Sequence, residues 1–121
     1  MDNIFSVINL AKIGLTVEKA KAEVSSHNIA NIHKPGVEAR EVNFEKLLTA
    51  MQEAEKSAFS DSSSPVSIDT DGFVDKKADG KVNLDQEVSR LTDAEMRYQV
   101  IAQTIQKKFG LMDLVIGGKS K

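Results

Sequence analysis

Residues 83–118 read NLDQEVSRLTDAEMRYQVIAQTIQKKFGLMDLVIGG, and the spacing within this stretch decides the fold. Leu84, Val88, Leu91, Glu95, Tyr98, Ala102, Ile105, Phe109, Met112 and Ile116 follow one another in unbroken alternating steps of four and three. That alternation is the a/d seam of a helix packing on other helices. Glu95 is its one charged member, and Ala94 and Ile101 widen the stripe beside it. Asn83 is placed to cap the helix with Gln86 three residues on, and Asp85 and Glu87 suit the positive end of the helix dipole. Gly117 and Gly118 should end it. A helix from about 83 to 116 spans roughly 50 Å at 1.5 Å per residue, with Gly110 as its weak point.

Working outward, the N-terminal third repeats this pattern more softly. Leu10, Ile13, Val17, Ala20 and Val24 step by three and four, and Ile4, Phe5 and Ile8 add bulk at one end. Asp2 or Asn3 can cap this helix. Ala11, Gly14 and Ala20 allow a neighbouring backbone to come close. The pattern fades into Ser25, Ser26, His27 and Asn28, and Pro35 with Gly36 should stop the helix. Asn28 and Asn31 lie one turn apart at its end, where amides satisfy free carbonyls.

Between the long helices, residues from Asn43 to about Phe59 predict a short helix with Phe44, Leu47, Leu48 and Met51 on its apolar face. Residues 60–65, SDSSSP, are linker-like. Val66, Ser67 and Ile68, then Asp71-Gly72 and Phe73-Val74, suit a small β-hairpin around an Asp-Gly turn. The chain from there to Gly80 is polar and expected to be mobile. The fold class is therefore mainly α: two long terminal helices packing as a coiled-coil-like pair or bundle, with a short helix and an irregular middle. Three regions follow, an N-terminal assembly helix over 1–33, a turn, short helix and polar insert over 34–82, and a C-terminal assembly helix with its tail over 83–121.

Composition narrows the function. The 121 residues hold 40% hydrophobic and 5% aromatic side chains and no Trp, so burial falls to Ile, Leu, Val, Met and Ala. The net charge of −2 divides as zero over 1–50, −4 over 51–80 and +2 over 81–121, which gives no field for nucleic acid. The absence of Cys removes thiol catalysis and disulfides, and with two His leaves little for zinc. Asp69, Asp71 and Asp75 lack the third donor and terminal Glu of a calcium loop and read as a solvated turn. His27 and His33 have no nucleophile arrangement beside them and read as helix-end polar residues. Lys107 and Lys108 read as a solvated face rather than a lipid contact. No cofactor and no catalytic or metal site is expected. No apolar run reaches a membrane span, and the N-terminus lacks the basic start of a cleavable signal.

A lone helix of this length does not recover its ordering entropy from a single seam, so long seams beside a small middle favour partners. A self-satisfying helical hairpin remains the plain alternative.

Two stretches carry a family resemblance. Ser26-His27-Asn28-Ile29-Ala30-Asn31, then Pro35-Gly36-Val37, then Arg40-Glu41-Val42-Asn43-Phe44 resembles the N-terminal signature of flagellar rod and hook proteins. His27, Lys34 and Val37 depart from that signature's Asn, Thr and aromatic. Residues 79–87, DGKVNLDQE, resemble the start of the family's C-terminal helix, one residue shorter and with Asn83 for an Asp. Arg97-Tyr98-Gln99, Lys108-Phe109 with Met112, and Ile116-Gly117-Gly118 look like the proximal members of the flagellar basal-body rod protein family. Both terminal thirds are covered, and residues 52–76 are not.

The resemblance implies a structural protein of the bacterial flagellum, exported by the flagellar type III apparatus without signal cleavage into the periplasmic rod. Its partners would be copies of itself, other rod proteins and the basal-body membrane ring with its adaptor, and its task would be to transmit motor torque. The expected assembly interface is Leu10, Ile13, Val17, Val24, Asn28, Asn31, Leu91, Tyr98, Ile105, Phe109 and Met112, with Pro35 and Gly36 as the turn motif. Residues 60–80 are expected to tolerate change. Another rod-family member, or a self-contained helical adaptor or chaperone holding one partner helix, stays open as a reading.

Overall fold

The computed structural model describes residues 2–60 and 67–118. In chain order these form α1 (Asp2–Ala30), β1 (Arg40–Val42), α2 (Phe44–Ser60), a 3-10 turn (Asp71–Phe73), β2 (Val74–Lys76) and α3 (Leu84–Gly118). The two long helices lie antiparallel, and α2 and the two strands occupy the middle of the chain.

Helix α1 is covered on two sides. Its stripe of Ile13, Val17 and Ala20 meets Leu47, Ala54 and Ala58 of α2 and the ring of Phe73, which has no exposed surface. Leu10, Met51, Ile68 and Val74 pack at the edge of this cluster. The adjacent side of α1 receives α3. There Gly14 is needed for close approach: a Cβ at this position would sit 3.1 Å from Ile101 Cδ1.

The face of α3 turned to α1 is set by Glu87, Leu91, Ala94, Ile101 and Ile105, with Glu87 and Ala94 buried and the others half-buried. This seam steps by four, three, seven and four, and it is rotated by about 60° from the predicted one at 100° per residue. Leu91 and Ile105 belong to both. Leu84, Val88, Tyr98 and Phe109 are 39–46% exposed and flank the contact instead. The physical reason is the small residues: Gly14 and Ala94 let the helices approach where large side chains would hold them apart. The side chains of Met112 and Ile116 lie outside the described residues.

The middle corrects the sequence reading. A small antiparallel sheet is present in the middle, but among the described residues no hairpin forms around Asp71-Gly72; β2 pairs with β1, matching Arg40 with Lys76 and Val42 with Val74. Val66 lies outside the described residues. Phe73 is the cause, since its ring goes into the core and turns the Asp-Gly segment into a single 3-10 turn. The segment expected to be mobile up to Gly80 is thereby fixed in part. Gly80 itself turns with φ +64°, and its N–H reaches the Lys77 carbonyl at 3.1 Å. On α2, Leu47 and Met51 turn inward as expected, whereas Phe44 and Leu48 are 67% and 44% exposed.

Two expected caps form, whereas Asp2 and Asn3 lie within α1 rather than capping it, and α3 runs on through Gly117 and Gly118. Asn83 Oδ1 accepts the Gln86 N–H at 3.1 Å, and Asn43 Oδ1 accepts the Lys46 N–H at 3.1 Å. Asn43 also joins α2 to the sheet. Its N–H donates to the Phe73 carbonyl at 2.7 Å and its Nδ2 to Asp75 Oδ2 at 3.0 Å.

Candidate assembly interface

The signature segment at the end of α1 forms a small hydrogen-bonded lock. Asn28, only 2% exposed, donates from Nδ2 to the Arg40 carbonyl and accepts the Arg40 N–H at Oδ1, both at 2.8 Å. Arg40 turns these groups away from β2, so the Asn28 amide stands where a third strand would be. Asn31 Nδ2 donates to the His27 carbonyl at 2.8 Å, which ends α1 before Pro35 is reached. His27 Nε2 lies 3.0 Å from the Glu38 carbonyl, and its Nδ1 lies 3.4 Å from Asn31 Nδ2. Those partners assign the proton to Nε2. Gly36 reverses the chain with φ +81°, a conformation glycine adopts without strain.

The second lock holds the sheet to α2. Lys46 Nζ meets both Asp75 oxygens, at 2.9 and 3.1 Å. These bonds from the Lys46 ammonium, and then the one from the Asn43 amide, hold the Asp75 carboxyl below its usual range.

The residues expected at the interface fall into three places. Ile13, Val17 and Val24 are buried within the chain, with Leu10 packed beside the first two at the edge of the core. Asn28 and Asn31 serve the lock at the end of α1. Tyr98 and Phe109 are exposed, at 39% and 44%, and Leu91 and Ile105 are half-buried in the α1–α3 seam. The structure does not bring these groups to one surface.

Two surfaces of α3 remain apolar and uncovered. One carries Leu84, Val88 and Phe109 with Glu95 among them. The other carries Met96, Val100, Leu111 and Leu114, at 55–71% exposure. The spacing of the second group (four, eleven, three) is a helical signal in the sequence, hidden by the stronger stripe beside it.

On the α2 side of α3 lies a cleft of about 350 Å³. Phe44 and Leu47 of α2 form one wall, and Arg90, Ala94 and Arg97 of α3 the other. Lys21, Val24 and Ser25 of α1 lie between them, and β1 and Lys77 complete the lining. Five basic side chains line it against three acidic ones. One of the acids, Glu87, is 1% exposed and accepts from Arg90 Nη1 at Oε1 at 3.0 Å, while its Oε2 has no hydrogen-bond partner among the described residues. Glu18, at 8% exposure, repeats this arrangement on α1: Oε1 lies 3.4 Å from Lys21, and Oε2 has no hydrogen-bond partner among the described residues. Neither buried carboxylate was legible in the sequence, where each sits beside an ordinary i,i+3 base.

No protein-family model matches the sequence. The flagellar basal body rod protein FlgB of Bacillus subtilis (strain 168) is 33% identical over 109 residues, which cover 82% of this chain and 84% of that protein. The chain belongs to the flagellar basal-body rod protein family. The signature segment of this rod protein thus has a definite physical task, tying the end of α1 to β1. Among its described residues no helix is long and apolar enough to cross a membrane. No group of three or more His, Cys, Asp or Glu is placed to hold a metal ion among the described residues.

Proposed function

We propose that this chain is a structural subunit of the proximal part of the flagellar rod, joined to copies of itself and to other rod proteins through α3, and that it bears torque. The observation that carries this reading is the pair of uncovered apolar flanks on α3. Large side chains repeated along both edges of a 35-residue helix form a surface that water does not favour. Tyr98 and Phe109, with Met112 beyond them, are the contacts from the expected interface. Leu91 and Ile105 act one step back, seating α3 on α1, and Leu10, Ile13, Val17 and Val24 fix α1 from the other side. The membrane ring with its adaptor and the export apparatus are the further partners this role requires. The chain would reach the periplasmic rod with its N-terminus intact.

Complementation tests the reading. Phe109→Asp alters an exposed position, so the variant should fold and be expressed, yet leave cells non-motile and basal bodies without this subunit. Normal swimming with Phe109→Asp would overturn it.

A self-contained helical adaptor is favoured by one observation: α1 is already covered on both sides by its own chain. Hydrogen exchange separates the two readings. A rod subunit should gain protection along α3 on entering basal bodies, whereas an adaptor would be fully protected alone and absent from them.

A further inference from the structure

The two long sides of α3 differ in charge as well as in position. Glu95 lies about 200° around the helix from Arg97, at 100° per residue. On the Arg97 side is the basic cleft between α2 and α3. On the Glu95 side, the exposed strip of α3 running through Leu84, Val88, Glu95 and Phe109 has Asp113 near its end and no basic residue of α3 along it, and Lys19 of α1 lines the shallow pocket beside Glu95. Neither Glu95 nor Arg97 has a hydrogen-bond or ion-pair partner among the described residues.

We infer that the acidic flank of α3 in one copy docks in the basic cleft of a second copy, with Glu95 of the first meeting Arg97 of the second. This rests on the assembly reading above and names the contact within it. Three features support a second copy as the occupant. The cleft has an excess of positive charge, and the flank is an apolar strip whose one central charge is negative. The cleft is walled by the first turn of α2 and by α3 and floored by α1, which makes it a bundle-like seat for side chains of a further helix. The flank and the cleft lie on opposite sides of one chain, so each copy offers both halves. Such a contact is heterologous, so each copy is joined to a further one, and where the rotation between copies does not close a ring it extends along a rod. Glu95, which interrupts an otherwise apolar stripe, then sets the register of the contact, as single polar seam residues do in coiled coils.

A charge exchange in the full-length chain tests this. Glu95→Arg alone and Arg97→Glu alone should each weaken self-association about tenfold, measured by sedimentation at low salt. An equimolar mixture of the two variants should recover it, because every contact again joins opposite charges. A mixture as weak as either variant alone would overturn the inference. Crosslinking gives a test that does not alter these charges, since the chain has no cysteine of its own. Phe44→Cys and Val88→Cys chains, mixed and treated with a short bismaleimide, should join to each other. Products containing only like chains would also overturn it. If either test fails while the wild-type chain still enters basal bodies, only this contact is wrong. If the wild-type chain is absent from basal bodies, the rod assignment itself falls.

Discussion

The side chain of Asn28 and the backbone of Arg40 are joined by two hydrogen bonds of 2.8 Å each, so one amide supplies both a donor and an acceptor to a strand twelve residues away. Removing this buried amide takes away the side-chain partner of both the Arg40 N–H and the Arg40 carbonyl. Asn28→Ala should therefore cost about 2–4 kcal/mol of stability, the cost of leaving two backbone groups unpaired. Urea unfolding of the purified chain measures this, and a loss under about 0.5 kcal/mol would show that Arg40 finds other partners.

Among the described residues Phe73 is the largest side chain with no exposed surface, and it holds the middle segment to α1 and α2. Phe73→Ala should cost about 3–5 kcal/mol. Proteolysis should then open the stretch around β2 before either long helix is cut. Simultaneous cleavage everywhere would mean the middle and the helices unfold as one unit.

The Lys46–Asp75 bridge makes a pH-dependent contribution. The Asp75 carboxyl is held below its usual range when folded. A carboxyl with a lowered folded pKa stabilises the fold while ionised. Its contribution is complete above the unfolded pKa of about 3.9 and is lost as pH falls through the folded value. Asp75→Asn should thus be less stable than wild type at pH 7, and the gap should narrow as the pH is taken below about 4. The bridge is partly exposed, so the gap will be modest. Urea midpoints at pH 7, 5 and 3 check it, and a gap independent of pH would assign the effect to the Asn43 bond alone.

Ile105 and Phe109 are one turn apart on α3 but have different surroundings. Ile105→Asp should weaken both the α1–α3 seam and motility, while Phe109→Asp should remove motility with the fold intact. Circular dichroism melting beside a swimming assay separates the two. Equal loss of melting temperature in both variants would show that Phe109 belongs to the fold as well.

The long helices, the short α2 and the Asn83 and Asn43 caps were legible because periodicity and Asn caps act over a few residues. The pairing of β1 with β2 was not. Three-residue strands show no alternation, and a local Asp-Gly turn offered a nearer partner than a strand 32 residues away. The α3 seam was misplaced for a related reason. Large side chains dominate a search for stripes, while the true contact is made by Gly14, Ala94 and a buried Glu87. Apolar surface on α3 was legible as a class, but a single sequence does not say which face of an amphipathic helix its own chain will cover.

The double coverage of α1 has a mechanical consequence. The α2–sheet unit grips one side of this helix and α3 the other, so a force entering through one and leaving through the other passes through α1 in series. The stiffness of that path is set by the softer of two seams along a strut about 43 Å long. The α2 side is a filled apolar cluster. The α3 side is a close backbone approach interrupted by two half-satisfied carboxylates. Shear should therefore be taken up first along α3, leaving the sheet and its locks undistorted while the outer surfaces of the long helix yield.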